Sequence, residues 1–116
     1  MDNGILYDVR VTCGLNWDDD AFDNELILLT NTYLFRAAQI GVGKKGFSIS
    51  GDSEKWSDFV INGFEDYESL KTYVGLSVRL KFDPPENGTV MSEMQSTISE
   101  MEWCLYIEAE VDGLKN

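Results

Sequence analysis

The sequence predicts an all-α fold: a small bundle of about four helices, with a long C-terminal helix that projects after a Pro-Pro elbow. Two observations predict it. Apolar residues recur at three- and four-residue spacing through residues 18–40, 65–81 and 89–107, the period of a helix with a buried face. Between these stretches lie joints that end regular structure, namely five glycines within residues 41–64 and the adjacent pair Pro84-Pro85. The expected organisation is one domain over residues 1–116: a helical body over 1–82, an elbow over 83–88 and the projecting helix over 89–110.

The opening segment, GILYDVRVTC (residues 4–13), reads two ways. Ile5, Leu6, Val9 and Cys13 share a helical face, while Tyr7, Val9, Val11 and Cys13 alternate as in a strand. The valines favour strand and the helical neighbours favour helix, so both readings stay open. Residues 18–40 form the strongest helical pattern. Asp20 is the expected N-cap, and Asp18, Asp19 and Asp23 add acids where the helix dipole favours them. Leu26, Leu29, Tyr33, Ala37 and Ile40 form a stripe that Ile27, Leu34 and Phe35 widen, as expected of a central helix, and Gly41 and Gly43 stop it.

Residues 41–64 are expected to be loop, plugged into the body by Phe47, Ile49, Trp56, Phe59 and Val60, with a short helical turn over 54–60. Residues 65–81 form the next helix, apolar on two faces: Tyr67, Leu70, Val74 and Val78 on one, Tyr73, Leu76 and Leu80 on the other. Two apolar faces require two neighbours, either both in the same chain or one in another subunit. Pro84 and Pro85 force the preceding residues out of helical geometry, so this helix ends by about Phe82 and Asp83 begins a stiff elbow. Asn87 or Thr89 caps the last helix, whose packing stripe is Val90, Met94, Ile98, Met101 and Leu105. Trp103 and Ile107 point nearly the other way.

Composition excludes several functions. The chain carries 21 acids against nine bases, a formal charge of −12, and no histidine. No Ser–His or Cys–His pair can be built, and the commonest metal ligand is missing. An acidic surface disfavours nucleic-acid binding, which needs clustered Lys and Arg. The acids at 18–20 and 23 lack the alternating ligands, glycine and terminal glutamate of a calcium loop, and GVGKKG lacks phosphate-loop spacing. No catalytic residue, cofactor or metal is therefore expected. No run of apolar residues is long enough for a membrane span, and the acidic start MDNGILYDVR lacks the basic opening of a signal peptide. Cys13 and Cys104, far apart in sequence, fit a reducing compartment. Lys44 and Lys45 are expected at the tip of a loop.

From Asp83 to Asp112 there are eight acids and no Lys or Arg, so the last helix is electronegative. Acidic rows can mimic DNA and inhibit a nuclease or restriction enzyme. Glu86, Glu93 and Glu100 do fall in a heptad row, but the other acids scatter.

The order QIGVGKKGFSISGDSEKWSDF, then LKTYVGLSVRLKFDPP, then EMEW-x-L resembles the head–tail connector, or adaptor, proteins of long-tailed bacteriophages. The similarity runs from about Asp20 to Glu110. Its strongest parts are Lys71-Thr72-Tyr73, Val78-Arg79-Leu80, Phe82-Asp83-Pro84-Pro85 and Glu102-Trp103-x-Leu105, with support from Gly41-x-Gly43, Gly46-Phe47 and Trp56-x-Asp58-Phe59. Two departures stand out: Cys104 follows the tryptophan where members carry arginine, and the opening segment is richer in valine.

The resemblance implies a structural virion protein without catalysis, made in the host cytoplasm and assembled at the neck. It implies a ring of copies, twelve-fold on the portal protein, with the next neck or tail-completion protein on the other side and DNA passing through without specific binding. On this reading the portal-facing surface is expected on Met94, Ile98, Met101, Trp103, Leu105 and Ile107. The subunit contact is expected on Phe47, Trp56, Tyr73, Leu76 and Leu80. Asp83, Pro84 and Pro85 set the elbow angle, and Glu93, Glu100 and Glu102 form an acidic channel or partner face.

Overall fold

Five helices make up the described part of the chain: α1 (Ile5–Thr12), α2 (Asp23–Ile40), α3 (Trp56–Phe59), α4 (Tyr67–Phe82) and α5 (Gly88–Lys115). The computed structural model describes residues 4–61 and 64–115, with 112–115 by backbone alone. Two isolated antiparallel bridges, Gly4 with Lys55 and Gly43 with Val60, are the β-type pairings among the described residues.

Burial decides the helix in the opening segment. Ile5, Leu6, Val9 and Cys13 are buried, whereas Tyr7 is half-buried and Val11 exposed, so the strand alternation buries no common face. α2 begins at Asp23, later than expected, and its N-cap position, Phe22, makes no side-chain cap. Asp19 and Asp20 ahead of it make turns instead, one through its side chain and one through its backbone. The Asp19 carboxylate accepts the Ala21 N–H at 3.1 Å, and the Asp20 carbonyl accepts the Asp23 N–H at 3.2 Å. At its other end α2 stops as expected at Gly41, whose φ of +114° is a left-handed cap that a side chain would strain.

The long connection after α2 is held down along its length. Asn31 on α2 accepts the Ile49 N–H at 2.7 Å and donates to the Ile49 carbonyl at 3.1 Å. Ile49, Trp56, Phe59 and Val60 are buried as plugs, with Phe47 packed against them. Gly43 is required by close approach: a Cβ there would lie 2.0 Å from the Phe59 ring.

α4 is central, packed on α1, α2 and α5. Asp66 caps it by accepting the Ser69 N–H at 3.1 Å. Where α1 crosses it, Gly75 leaves room for Thr12, which would sit 2.8 Å from an added Cβ. Leu70, Val74 and Val78 on one face of α4 are buried inside the subunit, as is Tyr73 on the other, while Leu76 and Leu80 stay half-buried. Asn87 caps α5, its side-chain oxygen accepting the Thr89 and Val90 N–H groups at 2.8 and 3.2 Å. At about 1.5 Å per residue the 28 residues of α5 span roughly 42 Å, matching the longest extent of the molecule, 42 Å.

Cys13 lies in the core, and burial pushes its thiol pKa from the usual 9.0 up to about 11. The folded state keeps the proton that the unfolded chain releases near pH 9, so this contribution to stability is complete below pH 9 and is lost as pH rises toward 11. Burial, then a hydrogen bond to Glu102, also raises the Tyr73 phenol pKa, which acts in the same direction above its usual 10.0. The urea midpoint is expected to fall between pH 8.5 and 10.5, and to fall less in Cys13→Ala.

Candidate functional site

Two polar networks fix the surface. The first lies where α1, the start of α2 and the long loop meet. Arg10 is only 3% exposed. Its guanidinium grips Asp23 through Nε at 3.0 Å and Nη2 at 2.6 Å, and Nη1 reaches Asp52 and the Trp17 carbonyl, each at 2.8 Å. Donation to Asp23, the largest cause, raises the Arg10 pKa further above its ordinary value. Nearby, the indole Nε1 of Trp56 donates to Asp8 at 2.7 Å. Sequence reasoning missed Arg10; the signal was a lone base on the apolar side of α1.

The second network seats α5. Glu102 accepts from the Tyr73 hydroxyl at 2.8 Å and from Arg36 at 3.0 Å, tying α5 to α4 and α2. Glu102 was expected on an acidic channel or partner face, and this is corrected: its carboxylate is engaged within the subunit because two donors converge on it. Glu93 and Glu100 are exposed on the outer side of α5. Glu86 lies in the elbow ahead of α5, so the heptad row of acids is not a single helical row. Glu102→Ala leaves the buried Tyr73 hydroxyl without its acceptor and is expected to cost about 1–3 kcal/mol in urea unfolding. Glu93→Ala and Glu100→Ala are expected to stay within about 0.5 kcal/mol of the parent.

The expected contact residues divide by burial. Trp56 and Tyr73, assigned to subunit contact, are fully buried in their own chain. A neighbouring copy has no access to them, because each indole or phenol is drawn inward by a polar partner as well as by packing. Phe47, Leu76 and Leu80 keep part of their surface. On α5, Leu105 is buried at 1% exposure, so its assignment to a portal surface is also corrected. Ile98 and Met101 pack against the core, and Met94 is half-buried. Ile98, Met101 and Leu105 form the inner stripe that seats α5, and Met94 borders the groove at the elbow.

The outer side of α5 is different. Trp103 is 63% exposed, and Ile107 and Val111 follow it at four-residue spacing, both exposed. Tyr106 stacks on Trp103 with ring centroids 5.8 Å apart. This pair overhangs a depression between α2 and α5 lined by Arg36, Ile40, Ser99 and Glu102. Tyr106 and Val111 were not singled out in the sequence, although Tyr106 sits one helical turn from Trp103. At the elbow, Asp83, Pro84 and Pro85 line a groove of about 480 Å³ with Leu76, Arg79, Glu86, Val90 and Met94. The end of α4, the elbow and the start of α5 thus line one groove.

Among the described residues, no group of three or more His, Cys, Asp or Glu is arranged to hold a metal ion. No described helix is long and apolar enough to cross a membrane. The described chain is a buried helical core carrying a long helix with exposed apolar residues on its outer side. Its residues 5–112 match the family model described as "Phage connector protein", and the chain belongs to that family. No match was found among curated proteins or among solved structures.

Proposed function

We propose that this protein is a structural component of a bacteriophage neck, placed between the portal protein and the next neck or tail-completion protein. Copies form a ring, twelve-fold on the portal, and DNA passes through the ring without specific binding. The chain performs no catalysis, needs no cofactor, and resides in the host cytoplasm until it joins the virion. Family membership over residues 5–112 supports the class of role.

The observation that carries the reading is the outer face of α5. Trp103, Tyr106, Ile107 and Val111 are exposed on a helix whose opposite side is already seated on the core. An aromatic anchor within an apolar stripe is the usual centre of a protein interface. The portal contact therefore lies on Trp103 and Ile107, with Met94 beside the elbow groove, while Ile98 and Met101 hold α5 in place. Phe47, Leu76 and Leu80 retain the surface for contact between copies. Glu93 and Glu100, exposed beside the apolar stripe, repel DNA phosphate or meet a basic patch on the portal. Asp83, Pro84 and Pro85 fix the angle between these surfaces.

Electron microscopy of the purified chain mixed with its portal protein tests this directly. The expected image is a ring of copies seated on the portal. Free portal particles at saturating concentrations of the chain would refute it.

A further inference from the structure

Acidic residues precede the N-terminal end of α2, and two lysines follow its C-terminal end. The helix between them is roughly 27 Å long. Just beyond the C-terminal end stand Lys44 and Lys45, adjacent, exposed and without an ion pair among the described residues. Arg10, Arg36 and Lys71 each pair with an acid of their own chain. The segment bearing the lysines is pinned. Gly43 bridges Val60, and the Lys44 N–H donates to the Phe59 carbonyl at 2.8 Å. The ammonium groups are thus presented from a fixed backbone.

At the N-terminal end of α2 is a crevice of about 400 Å³ lined by Gly4, Tyr7, Arg10, Trp17, Asp18, Asp20 and Asp52. Trp17 is 58% exposed, and its ring lies 6.1 Å from that of Tyr7. The one base in the lining, Arg10, is already held by Asp23 and Asp52. Asp18 and Asp20 are exposed, without ion pairs among the described residues. An aromatic wall beside free carboxylates suits a lysine side chain, whose stem packs on the ring while its charge meets the acids and the ring face.

We propose that this crevice receives Lys44 and Lys45 of a second copy of the chain. The inference rests on the ring reading above and names the contact that would build the ring. Charge complementarity selects the occupant: the net charge of −12 makes random approach of two copies repulsive, and this adjacent basic pair offsets it locally. The acids of α5 are a weaker receptor, because Glu93 and Glu100 stand on a convex helix without a cleft. Donor and receptor are different patches of the subunit, so the contact is head-to-tail. It repeats from copy to copy and closes when the rotation allows. Phe47, close to the lysines in sequence, adds apolar area at the same edge.

A charge-swap pair tests it, with rings on the portal counted by electron microscopy at low and at high salt. Lys44→Glu/Lys45→Glu and Asp18→Lys/Asp20→Lys change exposed side chains, and both variants are expected to keep the parent circular dichroism. Each alone is expected to lose the ring. An equal mixture is expected to regain it, because every junction then joins opposite charges. The parent ring is expected to weaken in high salt. Rings formed by each variant alone as readily as by the parent would overturn the proposed contact and leave the ring reading intact. No ring with the parent chain would overturn both.

Discussion

Trp56→Ala is expected to destabilise the fold by about 3–5 kcal/mol, the range for removing a large buried aromatic side chain. Trp56 has no exposed surface, and its indole donates to Asp8 at 2.7 Å, joining the long loop to α1. Truncation would leave a cavity between them and remove that hydrogen bond. Trp56→Phe separates the two effects: it keeps most of the volume, so a smaller loss of about 1–2 kcal/mol is expected, mainly from the missing donor. Urea denaturation followed by circular dichroism measures both. A Trp56→Ala variant within 1 kcal/mol of the parent would mean that the loop is not fastened as described.

Trp103→Ala is expected to do the opposite. The side chain is largely exposed and stacked on Tyr106, so stability is expected to change by no more than about 0.5 kcal/mol. Binding to the portal is expected to weaken by about 30-fold or more, the equivalent of a hot spot of about 2 kcal/mol. The two tryptophans form a control for each other: one variant is expected to weaken the fold, the other to weaken docking. Titration of labelled portal with each variant, at a temperature where both are folded, measures the difference. Unchanged affinity in Trp103→Ala would remove the outer face of α5 from the interface.

Much of the fold was legible because helical periodicity is a local property. Leu70, Val74 and Val78 announce the inner face of α4, and Asn87 after Pro84-Pro85 announces both the break and the new cap. The start of α2 was misplaced because an aspartate run reads as a cap. Which of Asp19, Asp20 and Asp23 turns the chain, and which binds Arg10, depends on partners distant in sequence. The opening segment was ambiguous for a related reason. Its two apolar patterns share Val9 and Cys13, and only the packing against α4 chooses between them.

The surface was less legible than the core. A helix with apolar residues all round states that it has two neighbours, without stating which belong to the same chain. For α4 the face of Leu70, Val74 and Val78 is buried and the second is covered at Tyr73 alone, while Leu76 and Leu80 keep part of their surface. For α5 one side is covered, through Ile98, Met101 and Leu105, and the other stays open at Trp103 and Ile107. Glu102 looked like one acid among many. Its separate role follows from Tyr73 and Arg36 arriving from two other helices, a convergence that no sequence window contains.

The most direct measurement is oxidative footprinting of the subunit, free and bound to its portal protein, read out at each tryptophan. Trp103 is expected to be readily oxidised in the free subunit and strongly protected in the complex, with Trp56 protected in both. Equal oxidation of Trp103 in the two states, in a sample where the complex is complete, would contradict the assignment of α5 as the docking arm.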